Sequence, residues 1–214
     1  MRFTRGPLPR GVLLASIAAA LLGGCAASQM GNMWRDRTFK TDGFKNVLVI
    51  AVRTDAVRRR MWEDGFASAL AEYGVHAQRS YEIWLDALPD TQSVRDTVKA
   101  RGYDGVLVNK RPPDTAQLNW VQGYSRRESV TKYDPQSGAA YTTWQDVMMP
   151  ATMDTIAVSN FETHMWAAMG NGRLVWSGMS QTTDEVNMQL IQYQTENIIL
   201  PEIAKAGLLP KKKK

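Results

Sequence analysis

The sequence has 214 residues, one cysteine and a formal net charge of +5. Three arginines within the first ten residues and four lysines at the end supply seven positive charges, so the residues between them carry a net charge of −2. This distribution leaves no basic body for nucleic acid to bind, and a single cysteine excludes an internal disulfide and a cysteine-rich metal site.

The amino terminus has the pattern of a secretory signal peptide. A basic start is followed by an apolar run over 12–22, and small residues precede Cys25. About ten apolar residues are too few to span a bilayer. The motif Leu22-Gly23-Gly24-Cys25 resembles the lipobox of bacterial lipoproteins, which implies cleavage between Gly24 and Cys25 and attachment of diacylglycerol to the Cys25 sulfur. The alternatives are a free thiol in an uncleaved anchor or in an ordinary signal peptide that is cut later.

The lipobox resemblance also implies a location. In proteobacterial lipoproteins an aspartate directly after the lipidated cysteine favours retention at the inner membrane, and this chain has Ala26 there. The implied location is the periplasmic face of the outer membrane, with the lipid on Cys25 as the membrane contact. Two acyl chains hold a protein stably at a membrane, whereas a single chain binds only marginally.

The chain is predicted to divide into a signal peptide 1–24, a lipidated flexible tether 25–43, a single α/β domain 44–209 and a lysine tail 210–214. The tether is predicted because Met33, Trp34 and Phe39 follow neither the helix period nor the strand period. Trp34 is either a membrane-interface contact or is packed on the domain. The lysine tail is either a solvated end or a weak contact with anionic headgroups or peptidoglycan.

The first half of the domain alternates strands and helices. A β-branched apolar run predicts a buried strand over 46–52. An amphipathic helix follows over 55–73, with Thr54 or Asp55 as its cap and Gly74 at its end. The elements predicted next are a strand over 75–84, a helix from Asp90 to Gly102 and a strand over 105–108. The β-α-β-α-β order predicts an open sheet with crossover helices.

The second half predicts antiparallel hairpins and a closing helix. A hairpin insert over 115–153 surrounds a turn that contains Pro and Gly, and a second hairpin follows. The strands predicted for the two hairpins are 118–131, 139–149, 156–168 and 173–180. The last helix is predicted to be capped by Asp184, to kink or split at Pro201 and to stop at Gly207. The fold class is therefore α/β, an open mixed sheet made of β-α-β-α-β followed by antiparallel hairpins and a C-terminal helix.

Most of residues 45–209 resembles small envelope lipoproteins whose domain is similar to the amino-terminal domain of TolB and to the curli-secretion lipoprotein. The segments that carry the resemblance are 45–51, 70–74, 102–108, 172–178 and 206–209. The resemblance implies a non-catalytic accessory or scaffold subunit of a cell-envelope assembly, with an envelope protein as partner and with oligomers possible. Residues 123–153 depart from the family pattern.

Candidate residues for protein contacts lie in the insert. Aromatic side chains and arginines on a protruding hairpin have the composition of a protein interface or a glycan platform. The predicted interaction surface consists of Trp120, Tyr124, Arg126, Arg127, Tyr141 and Trp144. The alternative is that the aromatic side chains pack on one another or on the sheet. Arg58, Arg59 and Arg60 are either a solvated helix face or a docking site for an acidic partner or a glycan phosphate.

The sequence offers no catalytic signature, metal-ligand spacing or cofactor motif. Its two histidines, His76 and His164, lie far apart. Glu162 and His164 share one strand face by the two-residue period, so an acid–base pair is geometrically possible. The leading prediction is a lipid-anchored periplasmic lipoprotein that is not an enzyme and binds no metal, cofactor or nucleic acid. The alternatives are a glycan- or small-ligand-binding lipoprotein associated with a transporter, and an envelope hydrolase that uses Glu162 and His164.

Overall fold

The computed structural model describes residues 28–212. The predicted signal peptide 1–24, the Gly24–Cys25 cleavage site and the lipidation site Cys25 lie outside the described residues, as do the last two lysines. The division of the chain at these points stays a prediction.

The amino-terminal half alternates strands and helices, as predicted. Its elements are β1 (Ser28–Arg35), β2 (Asn46–Val52), α1 (Ala56–Glu72), β3 (His76–Arg79), a 3₁₀ turn (Ser80–Glu82), α2 (Thr91–Arg101) and β4 (Gly105–Lys110). The carboxylate of Asp55 caps α1 by accepting the amide of Arg58 at 2.8 Å. Asp90 caps α2 in the same way, and Gly102 ends α2 with a φ of 69°. These local signals position both crossover helices.

The carboxyl-terminal half contains the hairpins and the closing helix. Its elements are β5 (Thr115–Val121), β6 (Tyr124–Tyr133), β7 (Ala140–Met149), β8 (Thr152–Ala167), β9 (Arg173–Thr182), α3 (Met188–Tyr193), a π-helical turn (Gln194–Ile199) and α4 (Leu200–Lys205). The last three form one helical path over 188–205, called here the C-terminal helix.

The strands form a mixed open sheet with the order β1-β9-β8-β4-β2-β3. β2 is parallel to β3 and β4, whereas β4, β8, β9 and β1 pair antiparallel in succession. β5 pairs with the outer part of β8, and β6 pairs with β7 as a separate two-stranded sheet. The predicted α/β fold class is confirmed.

Both faces of the sheet are covered in the body of the protein. Along β2, Val47, Val49 and Ala51 pack under α1 and the C-terminal helix, while Leu48 and Ile50 pack on the side of α2. All five side chains are buried. Burial on both faces explains why this strand is a continuous apolar run rather than an alternating one.

The predicted flexible tether over 25–43 is wrong where the structure describes it. Ser28–Arg35 is the edge strand β1, which pairs antiparallel with β9. Phe39 is buried in the core and stacks on Phe44. The pairing of β1 is irregular between Met30 and Met33, and such a bulge breaks the two-residue period by which a strand is recognised in a sequence.

Two predicted strands differ from the structure. The strand expected over 75–84 ends at Arg79, because the chain turns at Ser80 and the Ser80 hydroxyl donates to Glu63 at 2.6 Å. The strand expected over 118–131 is split into β5 and β6 at Gln122 and Gly123. A Cβ atom on Gly123 would lie 2.8 Å from the backbone of Ala151, and the neighbouring Pro150 lacks the amide hydrogen that a strand pair needs.

The C-terminal helix also begins later than predicted. Its cap is Asn187, whose side chain accepts the amide of Leu190 at 2.9 Å, whereas Asp184 lies in the preceding loop. The winding changes to a π-helical turn directly before Leu200 and Pro201, as expected next to a residue that cannot donate a helical hydrogen bond. Gly207 follows the helix with a φ of 72°.

Candidate interaction surface

The chain over 115–158 forms a long two-stranded arm that leaves the sheet along the axis of β8. β8 has 16 residues, of which 159–167 lie in the sheet and 152–158 pair with β5. We call the pair of β5 with residues 152–158 the proximal ribbon, and the β6–β7 pair beyond it the distal hairpin. The two parts are separated by the interruption at 122–123 and 150–151.

The base of the arm is held by a network of side chains. Arg111 donates to Asp114 at 2.9 Å and to Ser159 at 3.1 Å. The Asn160 amide donates to Thr115 at 3.2 Å and accepts from Gln181 at 3.0 Å. Because these contacts join the arm to β8 and β9, the direction in which the proximal ribbon leaves the sheet is fixed.

One face of the proximal ribbon is an apolar strip. The sequence-based prediction included Trp120 in an interaction surface but did not predict this strip. Directly paired residues of an antiparallel ribbon share a face, and the register pairs Trp120 with Met153 and Leu118 with Thr155. The strip consists of Ala116, Leu118, Trp120, Met153, Thr155 and Ala157. Leu118, Trp120 and Met153 are 65%, 64% and 61% exposed. The alternation of 116, 118 and 120 was the available signal in the sequence.

The apolar strip continues the face of β8 that holds the main core. Odd-numbered residues of β8 point to one side, and in the body Phe161 and Met165 lie on this side in the core with α1 and the C-terminal helix. Met153 lies on the same side in the arm and is open to solvent. The core face therefore extends past the helices that cover it.

The predicted interaction residues are exposed but do not form one patch. Tyr124, Arg126 and Tyr141 lie on one face of the distal hairpin, whereas Arg127 and Trp144 lie on the other. Trp120 belongs to the proximal ribbon. Tyr124, Tyr141 and Trp144 are more than half exposed, so the alternative that they pack on one another or on the sheet is wrong.

A buried polar cluster lies inside the core on the face that continues into the apolar strip, because Thr163 stands between Phe161 and Met165 along β8. Arg53 donates to the backbone carbonyls of Val52 and Asn109 at 2.8 and 3.2 Å and also to the Asn109 side chain. Asn109 in turn donates to Thr163 at 2.8 Å. Burial, followed by the positive charges of neighbouring arginines, lowers the pKa of Arg53 to about 10. These groups satisfy one another, which is the arrangement expected of a structural cluster.

The three consecutive arginines of α1 have different environments. Arg59 is buried and donates to Glu63 at 3.2 Å, and Ser80 donates to the same carboxylate at 2.6 Å. The interpretation of the three as one solvated face is therefore wrong for Arg59. Arg58 and Arg60 are exposed at the start of α1, so both predicted roles apply to these two alone.

Glu162 and His164 are brought together as predicted. His164 Nε2 lies 2.8 Å from Glu162 Oε1, and both side chains are partly buried. Among residues 28–212 there is no group of three or more His, Cys, Asp and Glu side chains that could hold a metal ion. The pair lies at the level of β4, where His164 is opposite Val108.

Two open clefts lie near the carboxyl edge of the parallel strands. The larger, about 500 Å³, is lined by Ser28, Asp184, Glu185, Asn187, Gln189, Leu190 and Tyr193. The smaller, about 220 Å³, includes Arg53, Arg60, Tyr81 and Leu85 in its wall. Both walls are mixed, with charged side chains beside a few apolar ones. In the part of the chain that the structure describes, no helix is long and apolar enough to cross a membrane.

The start of β1 lies at the edge of the sheet from which the arm projects. Ser28 is opposite Thr182, which is opposite Ser159 at the base of the arm. The Ser28 hydroxyl donates to the Thr182 hydroxyl at 2.9 Å and is buried. At the other end of α1, Lys212 pairs with Glu72 at 2.6 Å. Ser28 and Lys212 therefore lie at opposite edges of the domain.

No protein-family model matches the sequence, and comparison with curated proteins finds no match. The fold is similar to that of a PelC dodecamer from Paraburkholderia phytofirmans, at 9% identity and a TM-score of 0.46, over 86% of this chain and 99% of that one. A PDZ domain protein from Parabacteroides distasonis is similar at 8% identity and a TM-score of 0.41, over 88% of this chain and 39% of that one.

Lipoprotein GNA1162 from Neisseria meningitidis is similar at 13% identity and a TM-score of 0.36, over 75% of this chain and 99% of that one. The similar structures thus include a bacterial lipoprotein. At these identities the similarity concerns the fold alone, and a relationship to the TolB amino-terminal and curli-secretion type stays a prediction.

Proposed function

We propose that the chain is a non-catalytic lipoprotein, anchored by lipid on Cys25 at the periplasmic face of the outer membrane, and that it acts as an accessory or scaffold subunit of a cell-envelope assembly. The membrane part of the proposal rests on the Leu22-Gly23-Gly24-Cys25 motif. The partner part rests on the distal hairpin, which offers aromatic side chains on both faces of a ribbon that stands away from the core.

The distal hairpin is the observation that carries the proposal. Tyr133, Trp144 and Met148 on one face are 70%, 65% and 79% exposed, and Tyr124 and Tyr141 are more than half exposed on the other. Its strands pack chiefly on each other. An isolated two-stranded hairpin is marginally stable in water, and exposed aromatic side chains are the residues that dominate protein interfaces. Contact with an envelope protein accounts for both properties.

Binding of a glycan or small ligand for a transporter remains the alternative. Small-ligand sites are enclosed and mostly apolar with a few polar groups. The larger cleft is lined by Asp184, Glu185 and three further polar side chains, and the smaller one holds several arginines. Neither wall favours this alternative over the proposal, whereas the aromatic hairpin suits a glycan as well as a protein.

The proposal assigns Glu162 and His164 a structural role. The two side chains are neighbours on one face of β8 and satisfy each other at 2.8 Å. His164→Ala is therefore expected to leave the cellular function of the folded protein intact. Loss of function in a folded His164→Ala protein, seen together with loss in Glu162→Gln, would instead support the hydrolase alternative.

The anchor is tested in cells that make the full chain. Cys25→Ser should abolish labelling with a radioactive or alkyne fatty acid and should move the protein from the membrane to the soluble fraction. Unchanged membrane association in this variant contradicts the lipid anchor.

The partner contact is tested by photo-crosslinking from the distal hairpin. A photoreactive phenylalanine replaces Trp144 in one strain and Met169 in another, because the two side chains are 65% and 63% exposed but lie at opposite ends of the molecule. We expect a discrete crosslinked envelope protein from position 144 alone, and its loss when the crosslinker is combined with Tyr133→Ser and Met148→Ser. Equal capture from both positions, or none from position 144, contradicts the docking role.

A further inference from the structure

We infer that the apolar strip of the proximal ribbon lies on the lipid bilayer beside the anchor, so that the protein contacts the membrane through protein side chains as well as through lipid. The inference rests on the proposed lipidation of Cys25. It concerns the proximal ribbon, whereas the proposed protein partner binds the distal hairpin.

The position of the anchor is restricted by the start of β1. Ser28 is hydrogen-bonded and paired to β9, so its place on the sheet is fixed. Only Ala26 and Ala27 separate it from Cys25. Three residues span at most about 10 Å, so the Cα atom of Cys25 lies within about 10 Å of Ser28 and its lipid enters the bilayer close to this edge of the sheet. The flexible standoff of the sequence prediction is absent.

The proximal ribbon projects from the same edge of the sheet as the anchor and is longer than the distance between that edge and Cys25. β1 and β8 run parallel to each other on either side of β9, with Ser28 and Ser159 at the same level. They lie about 10 Å apart laterally. Seven residue pairs continue beyond Ser159, a length of about 23 Å at the rise of an antiparallel strand. The ribbon is longer than the distance of about 10 Å between the anchor and the edge of the sheet, so its outer part can reach the bilayer and lie along its surface.

The side chains of the ribbon match a membrane interface. The apolar strip contains Leu118, Trp120 and Met153, and all six of its side chains are uncharged. The opposite face is mixed, but its apolar residues Val121, Ile156 and Val158 are partly or fully buried. Its exposed residues are polar: Thr115, Gln117, Asn119, Thr152 and Asp154. An amphipathic element with an apolar face and a polar face lies in the plane of the interface rather than across it, and tryptophan is enriched at that depth. The strip therefore faces the lipid and the polar face remains in water.

A pair of methionines at the two ends of β8 gives a matched test. Met153 lies in the strip, and Met169 follows β8 at the opposite edge of the sheet; they are 61% and 63% exposed. Met153→Cys and Met169→Cys are made in the acylated full-length protein, where lipidation occupies the only native cysteine sulfur. Each thiol is labelled with an environment-sensitive NBD fluorophore, and the protein is reconstituted on phosphatidylethanolamine–phosphatidylglycerol vesicles.

The expected result is a difference between the two probes. The Met153→Cys probe should shift to the blue and lose about half of its emission when the vesicles carry a nitroxide on carbon 5 of an acyl chain, since an interfacial apolar face sits about 5–10 Å deep. The Met169→Cys probe should keep its emission. Adding Trp120→Ser and Leu118→Ser to the Met153→Cys protein should reduce the quenching while leaving vesicle flotation unchanged.

Each other outcome overturns the inference in a distinguishable way. If the protein floats with the vesicles but the two probes are quenched equally or not at all, the anchor stands and the strip contact is wrong. If the Met153→Cys probe shifts to the blue without quenching, and does so only at protein concentrations where the chain self-associates, a second copy covers the strip. If the protein carries no acyl chain and does not float, the proposed anchor fails and the strip contact fails with it.

Discussion

The two halves of strand β8 carry side chains to the same side of the sheet but have different surroundings. In the inner half, Phe161 and Met165 are fully buried together with side chains of α1 and the C-terminal helix. In the outer half, Met153 points to the same side and is mostly exposed. One alternating strand therefore serves a core at one end and an open surface at the other.

The difference shows that alternation alone does not decide burial. The two halves of β8 meet at a polar boundary, where the buried Ser159 accepts from Arg111. Buried polar groups are tolerated when they are hydrogen-bonded, so this boundary can separate two apolar regions on one face. The body gains stability from its apolar face, whereas the arm keeps its apolar face available for contact.

The largest predicted effect is a loss of folding stability that depends on which apolar side chain is removed, a buried one in the body or an exposed one in the arm. Phe161 lies 4.6 Å from Trp62 between ring centroids and is fully buried. Phe161→Ala should lower the free energy of unfolding by about 3–5 kcal/mol, because it removes apolar contact and leaves a cavity. Trp120→Ala, on the exposed strip, should change it by less than about 0.5 kcal/mol. Urea denaturation followed by circular dichroism measures both free energies. A loss from Trp120→Ala as large as that from Phe161→Ala would show that the apolar strip of the arm stabilises the fold as the core does.

The second prediction compares the loss of stability when an ion pair is broken in the body and in the arm. Arg59 and Glu63 are buried, with side chains 5% and 0% exposed, whereas Arg127 and Asp146 are 70% and 62% exposed at 3.1 Å. Glu63→Gln leaves the Arg59 charge buried without its carboxylate, so we expect a loss of about 3 kcal/mol. Asp146→Asn should cost less than about 1 kcal/mol. The same denaturation measurement applies, and equal losses contradict the difference in burial.

The sequence predicts the body better than the arm because the signals of the body are local. The apolar run of β2, the cap Asp55 and the helix end at Gly102 depend on signals within a few residues, and each is found as expected. The early end of β3 depends instead on a contact between Ser80 and Glu63, 17 residues apart in the chain. A pairing over that distance leaves no periodic trace in the sequence.

In the arm, composition predicts which residues are exposed but not which of them share a face. Composition identifies Trp120, Tyr141 and Trp144 as exposed candidates, and they are exposed. It does not assign them to faces, because the faces depend on strand register and on the interruption beside Gly123. The alternation of 116, 118 and 120 indicates one strand of the apolar strip, and the second strand is identified only when Met153 is known to lie opposite Trp120.

A deletion tests whether the body folds without the distal hairpin. Val121 and Thr152 are cross-strand partners at the end of the proximal ribbon, so replacing residues 122–151 by Asn-Gly joins them through a two-residue turn that suits a hairpin. The free energy of unfolding should change by less than about 0.5 kcal/mol, because the core residues are retained. Calorimetry of the shortened and full chains measures this, and a lower melting temperature of several degrees shows that the distal hairpin supports the body.

The smallest predicted effect is confined to the turn of the distal hairpin. Asp134 Oδ1 accepts the amides of Ser137 and Gln136, each at 2.8 Å. These hydrogen bonds, that of the Ser137 amide most, hold the pKa of Asp134 below its ordinary value. A carboxyl whose folded pKa is depressed contributes stability above its unfolded pKa and loses it as the pH falls through the folded pKa.

We therefore expect the amides of the Asp134 turn to lose protection below about pH 4, after correction for the intrinsic exchange rate. Amide hydrogen exchange of Gln136 and Ser137 measures this, with the buried amides of β4 as a reference at the same pH. In Asp134→Asn the dependence on pH should disappear, because the amide side chain still accepts a hydrogen bond but does not titrate. Equal loss of protection in the turn and in β4 would mean that acid unfolds the body and the arm together, and that the two halves of β8 are not independent.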